Sequence, residues 1–254
     1  MTHSRSCIKR LCLTLAAGLL CALATGCNEA DDGETGNSGI ASGETNSFAG
    51  VEGMRGVSYE KWILDGEAYG PAFVDLGDLN GDGRTDIIVS RFGQVDRTTF
   101  TIPSGEVIAF IQGETVEQWS PVAIVSQADG IVWPNEISLY DIDKDGDLDV
   151  FVPGGFLVCG VIPGSSPCGS LQWFENQNMT FVRHNIIESG DALFYHYAAL
   201  EDLDGDGIED LLTVGETRPA PGMGEDDAQA MWFKGTTDAD RFEKQPRVIG
   251  RGLG

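Results

Sequence analysis

Asp141–Asp149 reads D-I-D-K-D-G-D-L-D, and the chain writes the same pattern twice more, as D-L-N-G-D-G-R-T-D from Asp78 to Asp86 and as D-L-D-G-D-G-I-E-D from Asp202 to Asp210. Each copy carries an oxygen-bearing side chain at positions 1, 3, 5 and 9 and glycine at position 6. The starts lie 63 residues (141 − 78) and 61 residues (202 − 141) apart, so the pattern marks a unit repeated in register.

Side-chain oxygens crowded into so short a turn repel one another unless a cation draws them together. A hard divalent ion takes six to eight oxygens at roughly 2.3–2.6 Å, and alternate positions of a tight loop supply them while glycine permits the sharp turn. The expected side-chain ligands are Asp78, Asn80, Asp82 and Asp86; Asp141, Asp143, Asp145 and Asp149; and Asp202, Asp204, Asp206 and Asp210. Arg84, Asp147 and Ile208, at position 7, would add backbone carbonyls. Asn80 lowers the charge of the first loop. About three structural Ca2+ ions are expected, and the alternative is a set of solvated acidic turns.

An EF-hand would need a bidentate Glu at position 12 between two helices, whereas that position holds Val89, Val152 and Thr213. Position 9 leads directly into Ile87-Ile88-Val89, Val150-Phe151-Val152 and Leu211-Leu212-Thr213-Val214, short apolar runs that read as buried strands. Each loop therefore joins two strands, and each unit reads as four: 73–77, 86–90, 106–112 and 116–125; then 136–140, 149–152, 170–176 and 180–187; then 197–201, 210–214, 230–234 and 241–249. No segment has a helical period, so the fold class is all-β. Leu64, Val125, Ile187 and Ile249, at steps of 61, 62 and 62 residues, mark the fourth strands in a second register.

Four-stranded units of this length stack as the blades of a β-propeller. The chain holds about three, so a partial propeller is expected, the front portion of a longer protein or a truncated product. Tyr59–Leu64 would be the clasp strand that completes a last blade. With the loops, the stretches Leu171-Gln172-Trp173-Phe174-Glu175-Asn176 and Phe181-Val182-Arg183-His184-Asn185-Ile186-Ile187 resemble the FG-GAP or VCBS repeats of integrin-alpha-type propellers, over about Tyr59 to Gly254. The resemblance implies that calcium pins the loop face and that ligands bind at the opposite face.

Residues 1–26 combine Arg5, Lys9 and Arg10 with a short apolar run from Leu11 to Ala24, the form of an export signal. Ala24-Thr25-Gly26-Cys27 resembles a lipobox, which would place a lipid on Cys27 and the protein in a bacterial cell envelope at the outer membrane or cell surface. Cleavage after Ala22-Leu23-Ala24 and secretion is the alternative. Residues 27–53 are acidic and rich in Gly and Ser, a flexible tether, and the blades occupy 54–254. Once the signal and Cys27 are set aside, Cys159 and Cys168 remain, spaced for one disulfide in an oxidising compartment; two free thiols are the other reading.

The formal net charge is −24. Loss of the three signal-peptide cations leaves 16 − 3 = 13 basic against 40 acidic residues, a charge of −27 that three calcium ions reduce only to about −21. Nucleic acid and basic-patch attraction to anionic membranes are disfavoured as partners, which leaves an unknown protein or glycan.

Counting back from each loop puts Ala72, Asn135 and His196 at one level of the presumed ligand face, with Tyr69, Trp133, Phe194, Tyr195 and Tyr197 around them. Aromatic rings beside polar groups hold sugars well; sealing the entrance by packing is the competing role. The loops 92–105, 154–169 and 215–229 would border the same face. His196 is the one catalytic candidate, since related propellers with lyase or dehydratase activity use histidines near the axis. His184 is its only companion after signal removal, and no hydrolase or zinc motif is present. A ligand-binding or adhesion module is therefore the leading expectation, and a carbohydrate lyase or dehydratase the alternative.

Overall fold

Strand-forming runs set between acidic turns give a chain of meanders. A computed structural model of the protein describes residues 44–46, 59–96, 98–99, 101–156, 168–217 and 227–252. β1 (Glu44–Asn46) pairs antiparallel with β2 (Tyr59–Lys61). Three four-stranded antiparallel sheets follow. Sheet I contains β3 (Pro71–Gly77), β4 (Asp86–Arg91), β5 (Glu106–Gln112) and β6 (Trp119–Val125); sheet II contains β7 (Ser138–Tyr140), β8 (Asp149–Gly154), β9 (Gly169–Gln177) and β10 (Thr180–Asp191). Sheet III contains β11 (Phe194–Glu201), β12 (Asp210–Glu216), β13 (Ala228–Phe233) and β14 (Arg247–Gly252). In every sheet the strands pair in chain order, and a single turn of 3-10 helix, Gln127–Asp129, joins sheet I to sheet II.

The register repeats with the sequence. Ile87 pairs with Phe110, Val150 with Phe174 and Leu211 with Phe233. Each third-to-fourth-strand ladder also carries a bulge at the same place, leaving Ile124, Ile186 and Ile249 as the extra residues. The marker expected at Val125, Ile187 and Ile249 therefore slips by one in sheet III, where Gly250 takes the paired position opposite Ala230.

Sheet II is buried on both faces because alternate residues of its strands point to different neighbours. Val150, Val152 and Phe174 join Ile88, Val107, Ala109 and Val125 of sheet I in one core. Phe151, Leu171 and Trp173 join Ala198, Leu211, Met231 and Phe233 of sheet III in the other. Polar contacts tie the first strands of successive sheets: Asp75 Oδ2 accepts from Leu139 N at 3.2 Å, and Ser138 Oγ donates to the carbonyl of Ala198 at 2.7 Å.

Two expectations are corrected here. Tyr59–Lys61 does not complete a sheet as a clasp; its described partner is β1. β1 lies within the 27–53 stretch. The last strand starts at Arg247, not at residue 241, because Asp238–Phe242 folds into a turn with Arg241 at φ 63°. The export signal with Cys27, the loop cysteine Cys159, and most of the loops 154–169 and 215–229 lie outside the described residues.

Candidate metal centre

The sequence dictates the backbone of the loops first. Positions 4 and 6 adopt left-handed φ in all three copies: Gly81 and Gly83, Lys144 and Gly146, Gly205 and Gly207. Glycine takes this conformation freely, so Lys144 is the one position-4 residue that bears the steric cost of a side chain there.

Position 9 has a role that spacing alone did not reveal. Asp86, Asp149 and Asp210 are fully buried. Each carboxylate receives the backbone N–H of position 2 on one oxygen, from Leu79 at 2.9 Å, Ile142 at 2.8 Å and Leu203 at 3.1 Å. The other oxygen receives an N–H from the end of the third strand, from Gln112 at 2.9 Å, Asn176 at 2.8 Å and Gly235 at 2.7 Å. Loop and sheet are thereby stapled by charge-assisted bonds. Close approach is required: a Cβ on Gly235 would fall 2.1 Å from the Glu209 carbonyl oxygen.

The three loops then diverge in charge balance. In the first, Asp78 accepts the amides of Asp82 (3.1 Å) and Gly83 (2.7 Å), and Asp82 is held by Arg84 and by Asn80 Nδ2 at 2.8 Å. Backbone bonding from Arg84, then the Asn80 side-chain hydrogen bond and the Arg84 charge, keeps Asp82 below the usual carboxylate range. In the third, Asp202 accepts the amides of Gly205, Asp206 and Gly207, and Lys234 bridges Asp204 and Asp206.

The second loop holds five aspartates, Asp141, Asp143, Asp145, Asp147 and Asp149. Its own lysine, Lys144, turns away to pair with Glu209 at 2.7 Å. Among the described residues no cation bridges these carboxylates. Oδ1 of Asp141 and Oδ1 of Asp147 are buried without a hydrogen-bond partner, an unfavourable state for carboxylate oxygens. Desolvation, reinforced by the neighbouring acids, pushes Asp147 up to about 6 and Asp149 up to about 7, and raises Asp143 as well. Asp147, expected to contribute only its backbone carbonyl, thus brings its side chain into the cluster.

Ligand atoms of Asp141, Asp143 and Asp149 lie within 4.8 Å of one another, as do those of Asp202, Asp204 and Asp210. Such oxygen-only sets suit calcium rather than a softer metal. The first loop, with Asn80 at position 3, does not form such a trio of acids.

Of the ligand-face candidates, Phe194 and Tyr195 are buried. They belong to the packed interior rather than to an exposed face. Asn135 is also buried, and its Nδ2 donates to the Tyr195 carbonyl at 3.0 Å and faces His196 Nδ1 at 3.2 Å. Since an amide nitrogen can only donate, Nδ1 accepts, and the proton on Nε2 points to Glu216 Oε1 at 3.3 Å. Trp133 stacks on Phe92 at 4.8 Å, and Phe156 bridges Phe92 to Phe194 and His196. Tyr69 is exposed and lines, with Gly70, Gly93, Gln94, Val95 and Asp96, a cavity of about 740 Å³. Tyr197 sits elsewhere, its hydroxyl 3.5 Å from that of Tyr140, and Ala72 lies exposed on β3. His184 is on β10, stacked on Trp173 at 4.3 Å and bonded to Glu175 at 2.7 Å. Cys168 is disulfide-bonded.

Sequence reasoning missed Lys234 and Glu216, because each is distant along the chain from the group it touches. Fold and loops together define an all-β protein of three four-stranded antiparallel sheets, each turning its first corner on an acidic, amide-stapled loop. Comparison with known proteins finds no family model that matches the chain and no curated protein similar to it in sequence.

Proposed function

We propose that this chain is a calcium-stabilised repeat module of the FG-GAP or VCBS kind. Its three sheets are successive blades of a β-propeller, it is tethered to a bacterial envelope through Cys27, and it binds a protein or glycan at the face away from the acidic loops. The observation that carries the calcium reading is the second loop, where Asp141, Asp143 and Asp149 converge and two buried carboxylate oxygens have no partner. A divalent cation supplies what that loop lacks: a counter-charge and an electron-pair acceptor for both orphaned oxygens. Once filled, the loops act as pins, and binding chemistry falls to the opposite face, where Tyr69 presents an exposed ring beside a polar cavity.

The deciding experiment is calcium titration of the full chain by calorimetry, beside Asp145→Ala. The parent binds more than one ion, and the variant binds one fewer. Equal stoichiometry in both would remove the second loop as a site. A glycan array probed with the calcium-loaded chain then tests the partner class; a blank array together with no captured envelope protein would reject the binding role.

A further inference from the structure

The equivalence of the sheets shows which surfaces ought to be covered. On the side of sheet I facing sheet II, Leu79, Ile88, Ala109 and Ile124 are buried. Their counterparts on the side of sheet II facing sheet III, namely Ile142, Phe151, Trp173 and Ile186, are buried too. The same four positions of sheet III are Leu203, Leu212, Trp232 and Ile249. Leu203 is 43% exposed and Ile249 60%, and Val214 between them is 43% exposed, while Leu212 and Trp232 are only partly covered.

The opposite sides tell the same story. The surfaces that sheets II and III present to their predecessors include Ile137, Val150 and Val152, and Ala198, Leu211 and Thr213, all buried. In sheet I those positions are Val74, Ile87 and Val89, with Leu76 beside them. Val74 is 62% exposed and Leu76 60%. Among the described residues, sheets I and III thus each present an apolar side that no further sheet covers, with Ile87 and Val89 half-buried on the side of sheet I. One is built like the donor half and the other like the acceptor half of an interface that the molecule already makes twice internally.

We propose that sheet III of one copy packs on sheet I of a second copy, so that the protein self-associates head to tail. The match is one of kind, since each open face continues the established sheet-on-sheet contact. A heterologous contact of this sort either closes into a ring or grows by further copies. Apolar faces of this extent are otherwise uncommon on a lone soluble molecule. A cleft of about 380 Å³ lined by Val214, Ala230 and Gly250 lies on the donor face and would be covered. Because each copy carries a formal net charge of −24, long-range repulsion opposes the contact, and added salt strengthens it by screening. The inference rests on sheet packing and not on the calcium reading.

The test follows the internal junction. Asp75 reaches Leu139 across the boundary between sheets I and II, and the equivalent positions across the intermolecular boundary are Ala199 and Leu76. Full chains bearing Ala199→Cys and Leu76→Cys, differently tagged, are mixed and treated with a short bismaleimide. Mixed-tag dimers should exceed either same-tag dimer and the unsubstituted background. Sedimentation of the unsubstituted chain should show mass rising with concentration, more so at high salt, and Val214→Asp should weaken association at least about tenfold, or about 1.4 kcal/mol. Same-tag dimers in excess, a concentration-independent monomer at high salt, or no effect of Val214→Asp would each overturn the proposal.

Discussion

The carboxylate of Asp149 receives the backbone N–H of Asn176 at 2.8 Å, so the second acidic loop and the end of the third strand of its sheet are held by one buried side chain. The partner oxygen takes Ile142 N at 2.8 Å, and Asn176 in turn donates from Nδ2 to the Leu79 carbonyl of sheet I at 2.8 Å. A single aspartate is thereby linked to the packing of two sheets. Arg241 makes the corresponding reach from sheet III, donating to the Ile142 carbonyl at 2.6 Å.

Asp149→Asn keeps the shape but turns an acceptor into a donor that faces a backbone N–H. One charge-assisted bond is lost and a buried donor is left unsatisfied, each worth about 1–3 kcal/mol. The expected loss of stability is about 2–6 kcal/mol, read from the urea midpoint with calcium present. A shift below about 0.5 kcal/mol would mean that the staple does not hold the loop.

In the metal-free protein the second loop sets the pH dependence. Asp147 and Asp149 are raised to about 6 and about 7 from an ordinary value of 3.8, so the folded state holds protons that the unfolded chain has already released. Their contribution is fully present below the unfolded value and is lost as pH rises through about 6 to 7. Asp82 and Asp206, lowered by hydrogen bonds from Arg84 and Lys234, act the other way, but their contribution falls away only at more acid pH. The melting temperature in EDTA should therefore rise as the buffer goes from pH 8 to pH 5. A fall over that interval would contradict the crowding of the second loop.

Much of this was legible in the chain because the loop pattern repeats in register: the glycine at position 6, the aspartate at position 9 and the β-branched run after it fixed the hairpins and hence the all-β class. Burial of Phe194 and Tyr195 was not legible, since an aromatic at a strand start reads alike whether it faces solvent or a neighbouring sheet. Nor was the staple, because the amides of Gln112, Asn176 and Gly235 carry no side-chain signature. Lys234 was invisible for a related reason: it reaches Asp204 and Asp206 only after β13 folds back beside the loop.

Lys234 should act as a built-in competitor for the third loop. Its ammonium occupies the carboxylates that calcium would need: Asp206 is lowered first by the hydrogen bond from Lys234, and Lys234 is raised first by its bond to Asp204 and then by that to Asp206. Lys234→Ala frees both acids and should tighten calcium binding at that loop several-fold, seen as one steeper phase in a titration. Lys144→Ala serves as the contrast, because Lys144 pairs with Glu209 and not with its own loop. Equal effects of the two substitutions would reject the competition.

Trp173 and Trp232 occupy the same position of successive sheets and should respond unequally to truncation. Trp173 is buried between sheets II and III, stacked on His184 at 4.3 Å, and its removal leaves a large cavity in a packed core. Trp173→Ala should cost about 3–5 kcal/mol. Trp232 lies on the open side of sheet III, where its described cover is the Arg247 guanidinium 4.7 Å from the ring centre. At protein concentrations low enough to keep the chain monomeric, Trp232→Ala should cost about 1 kcal/mol, the worth of a partly exposed cation–π contact. Chemical denaturation of both variants beside the parent decides it. A loss at Trp232 as large as that at Trp173 would mean that a further part of the chain covers the outer side of sheet III, and that the side is not open in the single molecule.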